Sequence, residues 1–322
     1  MKNIAAAFAF VAALLLQPTF AFSETFPSRT GRIIVTFAPG GNADTIARLV
    51  ADSLTRSLGQ TVIVENRPGG ATIVGTNAVV QAPPDGYTML EASTSISTNP
   101  ALGNATAYDA DKDLVPVATL VTIPAVLVVN KALPVKTLAE FIAYAKAHPG
   151  ELNYGSAGNG SFPHLAMEQL GQQQGIKMTH VPFKGFGPAM LGLLRNDANV
   201  LASDIPGALP HIASGELRAL AVTGKKRMSM LPDVPTAEEA GASNYEAIGF
   251  LGIMVREGTP REIVDILNRE IGAALRSPKI ADYIASNGLI AGGDRPADFA
   301  AFLKRDKENW TKVITAGNIR SQ

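Results

Sequence analysis

The stretch Ile33-Ile34-Val35-Thr36-Phe37-Ala38-Pro39-Gly40-Gly41-Asn42 runs from an apolar strand pattern through a glycine-rich turn into a helix pattern that continues to residue 58. More than a hundred residues later the chain repeats the device. There Leu152-Asn153-Tyr154 leads through Gly155-Ser156-Ala157-Gly158-Asn159-Gly160-Ser161 into a helix pattern over 162–171. The first amides of a helix have no acceptor within it, and its dipole favours negative charge at that end. Two such loops predict two similar domains that present anion-binding helix ends to one ligand. That is the arrangement of a receptor for a small carboxylate.

Working outward, strand and helix patterns alternate almost throughout. Ile46, Leu49, Val50 and Leu54 recur at helical spacing over 44–58, and a strand over 61–65 ends in the turn cluster Asn66-Arg67-Pro68-Gly69-Gly70. A helix over 73–81 stops at Pro83-Pro84-Asp85-Gly86, a strand follows over 87–91, and 93–97 reads as a polar loop. Strands are expected over 114–120 and 125–130, then a helix over 138–148 capped by Thr137 with Glu140 at its third position. Further strands fall at 178–181, 199–203, 217–222 and 248–255; helices fall at 188–195, 208–214, 261–275, 278–286 and 296–316. This order predicts an α/β fold of parallel-rich sheets flanked by helices, with ligands outside the carboxyl ends of the strands. The chain is expected to cross between domains near 122–125 and return near 248–252, giving one domain of 24–124 plus 249–322 and a second of 125–248.

Composition bounds the function. Lys2, the uncharged apolar run 4–16 and small residues up to Ala21 and Ser23 read as an export signal over 1–23, too short for the roughly 20 apolar residues of a spanning helix. The protein is expected in the periplasm. About 300 further residues exceed what one core supports. There is no cysteine, which excludes disulfides, thiolate metal sites and thiol catalysis. Lys plus Arg and Asp plus Glu each number 28, without a basic stripe, so nucleic acid is not an expected partner.

Neither glycine loop contains Gly-Lys-Ser/Thr, and Gly155, Gly158 and Gly160 lack dinucleotide-fingerprint spacing. No Gly-x-Ser-x-Gly elbow is present. Gly40 and Gly41 also suit a tight turn without a ligand. His164 and Glu168, four apart, could share a metal but lack a third ligand, and a structural role is favoured. His148, His180 and His211 are assigned no chemistry. Asp44 reads as a cap and dipole partner, or else a ligand contact. Ser93, Thr94, Lys184 and Gly185 are candidate contacts, and an exposed lysine serves equally for Lys184. Asp204 follows the strand 199–203. It either faces the cleft, disfavouring a second anionic group there, or caps the next helix.

Arg32 through Gly41 with Asp44 and Ala47-Arg48, Val64-Glu65-Asn66-Arg67-Pro68-Gly69-Gly70, and Pro84-Asp85-Gly86-Tyr87-Thr88-Met89-Leu90 form one set of motifs. Asn153-Tyr154-Gly155-Ser156, Gly160-Ser161, His164-Leu165 and His180-Val181-Pro182-Phe183-Lys184-Gly185 form another, followed by Gly215 to Thr223 and Leu231-Pro232-Asp233-Val234-Pro235-Thr236. Together, in order from about Phe26 onward, they resemble the Bug-type periplasmic receptors of tripartite tricarboxylate transporters.

The resemblance implies a two-domain Venus-flytrap that closes on a small carboxylate, with no cofactor and no catalysis. It implies that loops after the first strand of each domain grip the ligand. On this sequence that places 38–44 and 155–161 at the ligand, and the candidate contacts there and beside them are Phe37, Pro39, Gly40, Gly41, Asn42 and Asp44, and Ser156, Ala157, Gly158, Asn159, Gly160, Ser161 and His164. A monomer partnered by a small and a large integral-membrane subunit is expected. The chain departs from the family at Ser203-Asp204, where Asp-Asn is common. It also departs at Phe250, near a common Trp, at Val255-Arg256-Glu257, and at the thinner glycine run Ala71-Thr72-Ile73. These departures bear on the ligand and not on the class. A secreted α/β hydrolase of a carboxylate ester is the rival class, and a receptor serving a sensor kinase is a third reading.

Overall fold

The computed structural model describes residues 26–321, so the export signal expected over 1–23 lies outside the described residues. Strand β1 (Gly31–Val35) buries Ile33, Ile34 and Val35 completely, as a parallel strand covered on both faces requires. Helix α1 (Asn42–Leu58) lays Ile46, Ala47, Val50 and Leu54 on one face of it and ends at Gly59 in the left-handed conformation. Strands β2 (Val62–Asn66) and β3 (Thr88–Ser93) pair parallel to β1 on its two sides, with α2 (Ile73–Val80) between them in sequence. One-turn helices α3 (Ser95–Thr98) and α4 (Ala110–Asp113) lead into β4 (Leu114–Pro124). Residues 93–97 are therefore not the polar loop expected: Ser93 closes β3 and α3 starts at once.

The chain then builds a second sheet from β5 (Val126–Asn130), α5 (Leu138–Ala147), β6 (Asn153–Ser156), α6 (Phe162–Gln174), β7 (Thr179–Pro182), α7 (Phe186–Leu194), β8 (Val200–Ser203), α8 (Ile205–Ala213) and β9 (Leu217–Val222). It returns through β10 (Ile248–Arg256), α9 (Arg261–Leu275), α10 (Pro278–Ser286), β11 (Ile290–Ala291) and α11 (Pro296–Ala316). The first sheet has the order β11-β4-β10-β3-β1-β2 and the second β7-β6-β8-β5-β9. Both are mixed. Parallel pairing is confined to β3-β1-β2 and β7-β6-β8, where helices connect successive strands. Strands β4 and β10, which carry the chain out of the first sheet and back, run antiparallel to each other.

Thr223 ties the two crossings together. Its hydroxyl accepts from Ala125 N at 2.8 Å and donates to Ala247 O, while its backbone bonds to the same two residues. It is 1% exposed, so these bonds form away from water.

Helix α11 belongs to both sheets. Phe299 and Phe302 pack edge-on against Phe250 of the first, with ring centroids 5.8 and 5.3 Å away. Trp310, Val313 and Ile314 enter the core of the second beside Phe141 and Tyr154. The expectation that 249–322 goes wholly with the first sheet is corrected there, because a 21-residue helix is long enough to reach both. At the crossover, Trp310 Nε1 donates to Asp306 at 2.8 Å; burial pushes the Asp306 carboxyl up from 3.8 to about 7.

Two outcomes follow from these contacts. Thr223→Val keeps the side chain's shape but leaves buried backbone groups at both crossings without partners, so urea unfolding should show a loss of about 1–3 kcal/mol. Asp306 holds a proton in the folded protein that it releases when unfolded, so its contribution is lost as pH rises from 3.8 to about 7. Asp306→Asn should therefore stabilise the protein by roughly 2–3 kcal/mol more at pH 8 than at pH 5, read as the difference from the parent at each pH.

Candidate functional site

Parallel pairing places the carboxyl ends of β1 and β3 on one edge of the first sheet, and those of β6, β7 and β8 on one edge of the second. The candidate ligand contacts lie at or after those ends. Phe37 to Asp44 come after β1, Ser93 and Thr94 close β3, Ser156 to His164 follow β6, Lys184 and Gly185 follow β7, and Asp204 follows β8.

In the first loop Gly40 adopts φ +99°, a left-handed conformation, and its amide donates to Asp44 Oδ2 at 3.0 Å. Asp44 is the third helical residue of α1, whose cap Gly41 offers no side chain. The bond resembles half of a capping box moved one residue upstream. Both Asp44 oxygens are engaged: Arg48 donates Nε to Oδ2 at 3.0 Å and lies 2.8 Å from Oδ1, and Asn66 donates to Oδ1 at 2.8 Å. The Arg48 bond leads in holding the Asp44 carboxyl at about 2, although burial opposes it. Asn66 also donates to Phe37 O at 3.1 Å, and Asn42 Oδ1 accepts from Tyr283 at 2.7 Å. The side chains of Phe37 and Pro39 are exposed.

The second loop is fastened at the same place by different chemistry. Gly160, at φ +70°, donates its amide at 3.0 Å to Nδ1 of His164, the third helical residue of α6. Gly158 N donates to Ser156 Oγ at 3.1 Å, Ser161 N donates to Gly158 O at 3.2 Å, and the Ser161 hydroxyl donates to the same carbonyl at 2.6 Å. These bonds use the amides of Gly158, Gly160 and Ser161 and make no use of those of Ala157, Asn159 and Phe162. The loop after β7 is joined to it, since Gly185 N donates to Ala157 O at 3.2 Å, while Lys184 is exposed.

His180, given no chemistry in the sequence, sits at the centre of this loop's support. Its register opposite Tyr154 on β6 stacks the two rings at 4.9 Å, it also stacks on His164 at 3.8 Å and 14°, and the Tyr154 and His164 rings lie 6.0 Å apart. Its Nε2 lies 2.6 Å from Ser156 Oγ. Burial pushes both imidazoles down, His164 from 6.5 to about 4 with His180 adding to the effect. Glu168 does not converge with His164 on a metal. Its carboxylate takes the Tyr154 phenol, and among the described residues no group of three or more His, Cys, Asp or Glu could hold an ion.

Asp204 caps α8 by accepting from Gly207 N at 3.0 Å. Thr94 Oγ1 accepts from Phe250 N at 3.2 Å, joining the end of β3 to the crossing strand β10. Glu91 of β3 was not legible as a site residue. It is fully buried, neither carboxyl oxygen has a hydrogen-bond partner among the described residues, and burial together with the Asp44 charge pushes its carboxyl well above the usual range. A cavity of about 720 Å³ under α11, lined by Leu114, Met254, Leu303 and Lys307 among others, includes neither glycine loop.

The sequence profile of the family described as the tripartite tricarboxylate transporter family receptor matches residues 46–319. The protein BugT of Bordetella pertussis is 36% identical over 297 residues, 91% of this chain and 90% of that protein. Among solved structures, an R. palustris protein with adipate is 33% identical with a TM-score of 0.77, covering 92% of this chain and 100% of that one. The MatC protein from Rhodopseudomonas palustris with bound malate is 32% identical with a TM-score of 0.72, covering 90% and 100%.

The glycines separate strain from access. A Cβ at Gly160 would sit 2.9 Å from Leu102 of the segment after α3, in a left-handed conformation, whereas one at Gly41 meets nothing within 4 Å at φ −86°. Gly160→Ala should cost about 1–2 kcal/mol in thermal or urea unfolding, and Gly41→Ala less than about 0.5 kcal/mol.

Proposed function

The chain belongs to the receptor family of tripartite tricarboxylate transporters, and from that premise we propose that it captures a small organic carboxylate between its two sheets and delivers it to membrane subunits of a secondary transporter. The carrying observation is the pair of fastened glycine loops at the carboxyl edges of the two sheets, each ahead of a helix start. Members of this family are periplasmic solute receptors. Adipate and malate, carried by two of its solved structures, are both small dicarboxylates.

The loops differ in charge. Asp44 occupies the first turn of α1, and its carboxylate offsets that helix's dipole. The first turn of α6 contains no acidic residue, and its loop is fastened by a neutral ring. A ligand carboxylate is accordingly assigned to the second loop, at the amides of Ala157, Asn159 and Phe162. The first loop takes the body of the ligand or a group that tolerates the nearby Asp44, and Phe37 offers it an exposed aromatic face.

In this reading residues 24–124 with the start of the 249–322 segment, and residues 125–248, act as lobes that close about the crossings at Thr223. The protein works in the periplasm after export through residues 1–23, as a monomer, and releases its ligand unchanged.

Adipate, malate and citrate, tested by calorimetry and thermal shift, check this. A bound acid at a hundredfold excess over its Kd should stabilise the fold by about 2.7 kcal/mol, and X-ray scattering should show a smaller radius with it. Mass spectrometry should return the acid intact. Binding without compaction removes the flytrap, and consumption of the acid or its ester favours the hydrolase.

A further inference from the structure

We propose that His164 and His180 are positioning residues for the second glycine loop, which keeps its ligand-binding shape only while both imidazoles are uncharged. The inference deepens the reading that this loop takes the carboxylate, and rests on it for its functional consequence.

The position of one hydrogen fixes the tautomer of His164. Gly160 N–H points at His164 Nδ1, so that nitrogen must be the bare acceptor and the ring proton lies on Nε2. A second proton on Nδ1 would set donor against donor and release Gly160. Gly160 is left-handed and packs on Leu102, so without the bond the loop loses the restraint that selects this conformation. The ring cannot swing away, because His164 is 6% exposed and stacked on His180, which is stacked in turn on Tyr154.

His180 extends the fastening to the front of the loop. Its Nε2 meets Ser156 Oγ, the acceptor for Gly158 N. Charging either ring puts a buried cation into the stack, and charging both sets two cations 3.8 Å apart. The ionisable groups around the pair do not relieve this. Tyr154 on β6 gives its phenol to Glu168 on α6, so that carboxylate is already engaged. Lys177, ahead of β7, lines the groove beside Tyr154 and Glu168, and Lys184, after β7, is exposed; neither offers the rings a counter-charge. With His164 at about 4 in the fold and 6.5 unfolded, its contribution to stability is complete above pH 6.5 and is lost as pH falls toward 4.

The capping-box parallel supplies the control, since glutamine is a natural acceptor at the third helical position and does not titrate. NMR of the imidazoles and of Gly160 amide exchange, over the pH range 3.5–8, should show His164 titrating near 4 with Gly160 losing protection alongside it. His164→Gln should keep Gly160 protected through that range. With adipate as the probe at pH 7.5, His164→Phe, which keeps the stack and loses the acceptor, should bind about tenfold more weakly. His164→Gln should stay within about twofold of the parent.

A His164 that titrates at its ordinary value, a Gly160 exchange rate indifferent to its protonation, or a Phe variant that binds as tightly as the Gln variant would overturn the proposal. If the Phe variant does not fold, the titration of the parent protein decides alone. If adipate and malate bind none of the proteins, the functional reading fails, while Gly160 exchange still decides the positioning role.

Discussion

Both glycine loops depend on one hydrogen bond of one kind, a left-handed glycine amide given to the side chain of the third residue of the following helix. Glycine is the residue least able to hold a conformation by itself, and ordering a backbone residue costs about 1–2 kcal/mol. A single acceptor at fixed distance supplies the missing restraint. The acceptor's chemistry then sets the charge of the loop. Asp44 brings a full negative charge and needs Arg48 and Asn66 to hold it. His164 brings none, and needs burial and a stacked partner to remain neutral.

The rest of the fold places each loop at the carboxyl edge of its own sheet. Strand–helix–strand units carry them, and the two halves meet at the Thr223 bonds, where Leu102 packs in the core of the second sheet, where Ile290 packs beside Ile205, and along α11, among other places. Thr223 joins strands from both crossings, and helix α11 spans the same junction with Phe299 packed in a core on one side and Trp310 in a core on the other.

Buried acids mark where this design departs from the most stable arrangement. Glu91 has no hydrogen-bond partner for its carboxyl among the described residues, and burial raises the Asp306 carboxyl to about 7 beside Trp310. A buried polar group with unmet bonds costs free energy that an apolar residue of the same volume would not. The two are placed below one glycine loop and at the helix joining the halves.

Much of this was determined by the sequence alone. Alternation of strands and helices and the two glycine loops depend on neighbours within about four residues, which periodicity and turn chemistry report directly, while for Asp44 and Asp204 the sequence offered a cap beside a second reading. The order of motifs was sufficient to identify the family. Tertiary structure decided what required distant partners. His180 acquires its role only because β7 pairs with β6 in the register that sets it against Tyr154 and His164. Glu91 is an ordinary glutamate in a strand until β1 and β10 close over it on both sides. The antiparallel β4 and β10, and the division of α11 between two cores, likewise follow from how strands are ordered and helices docked. Those choices are made by burial of apolar surface across the whole chain, and no local pattern carries them.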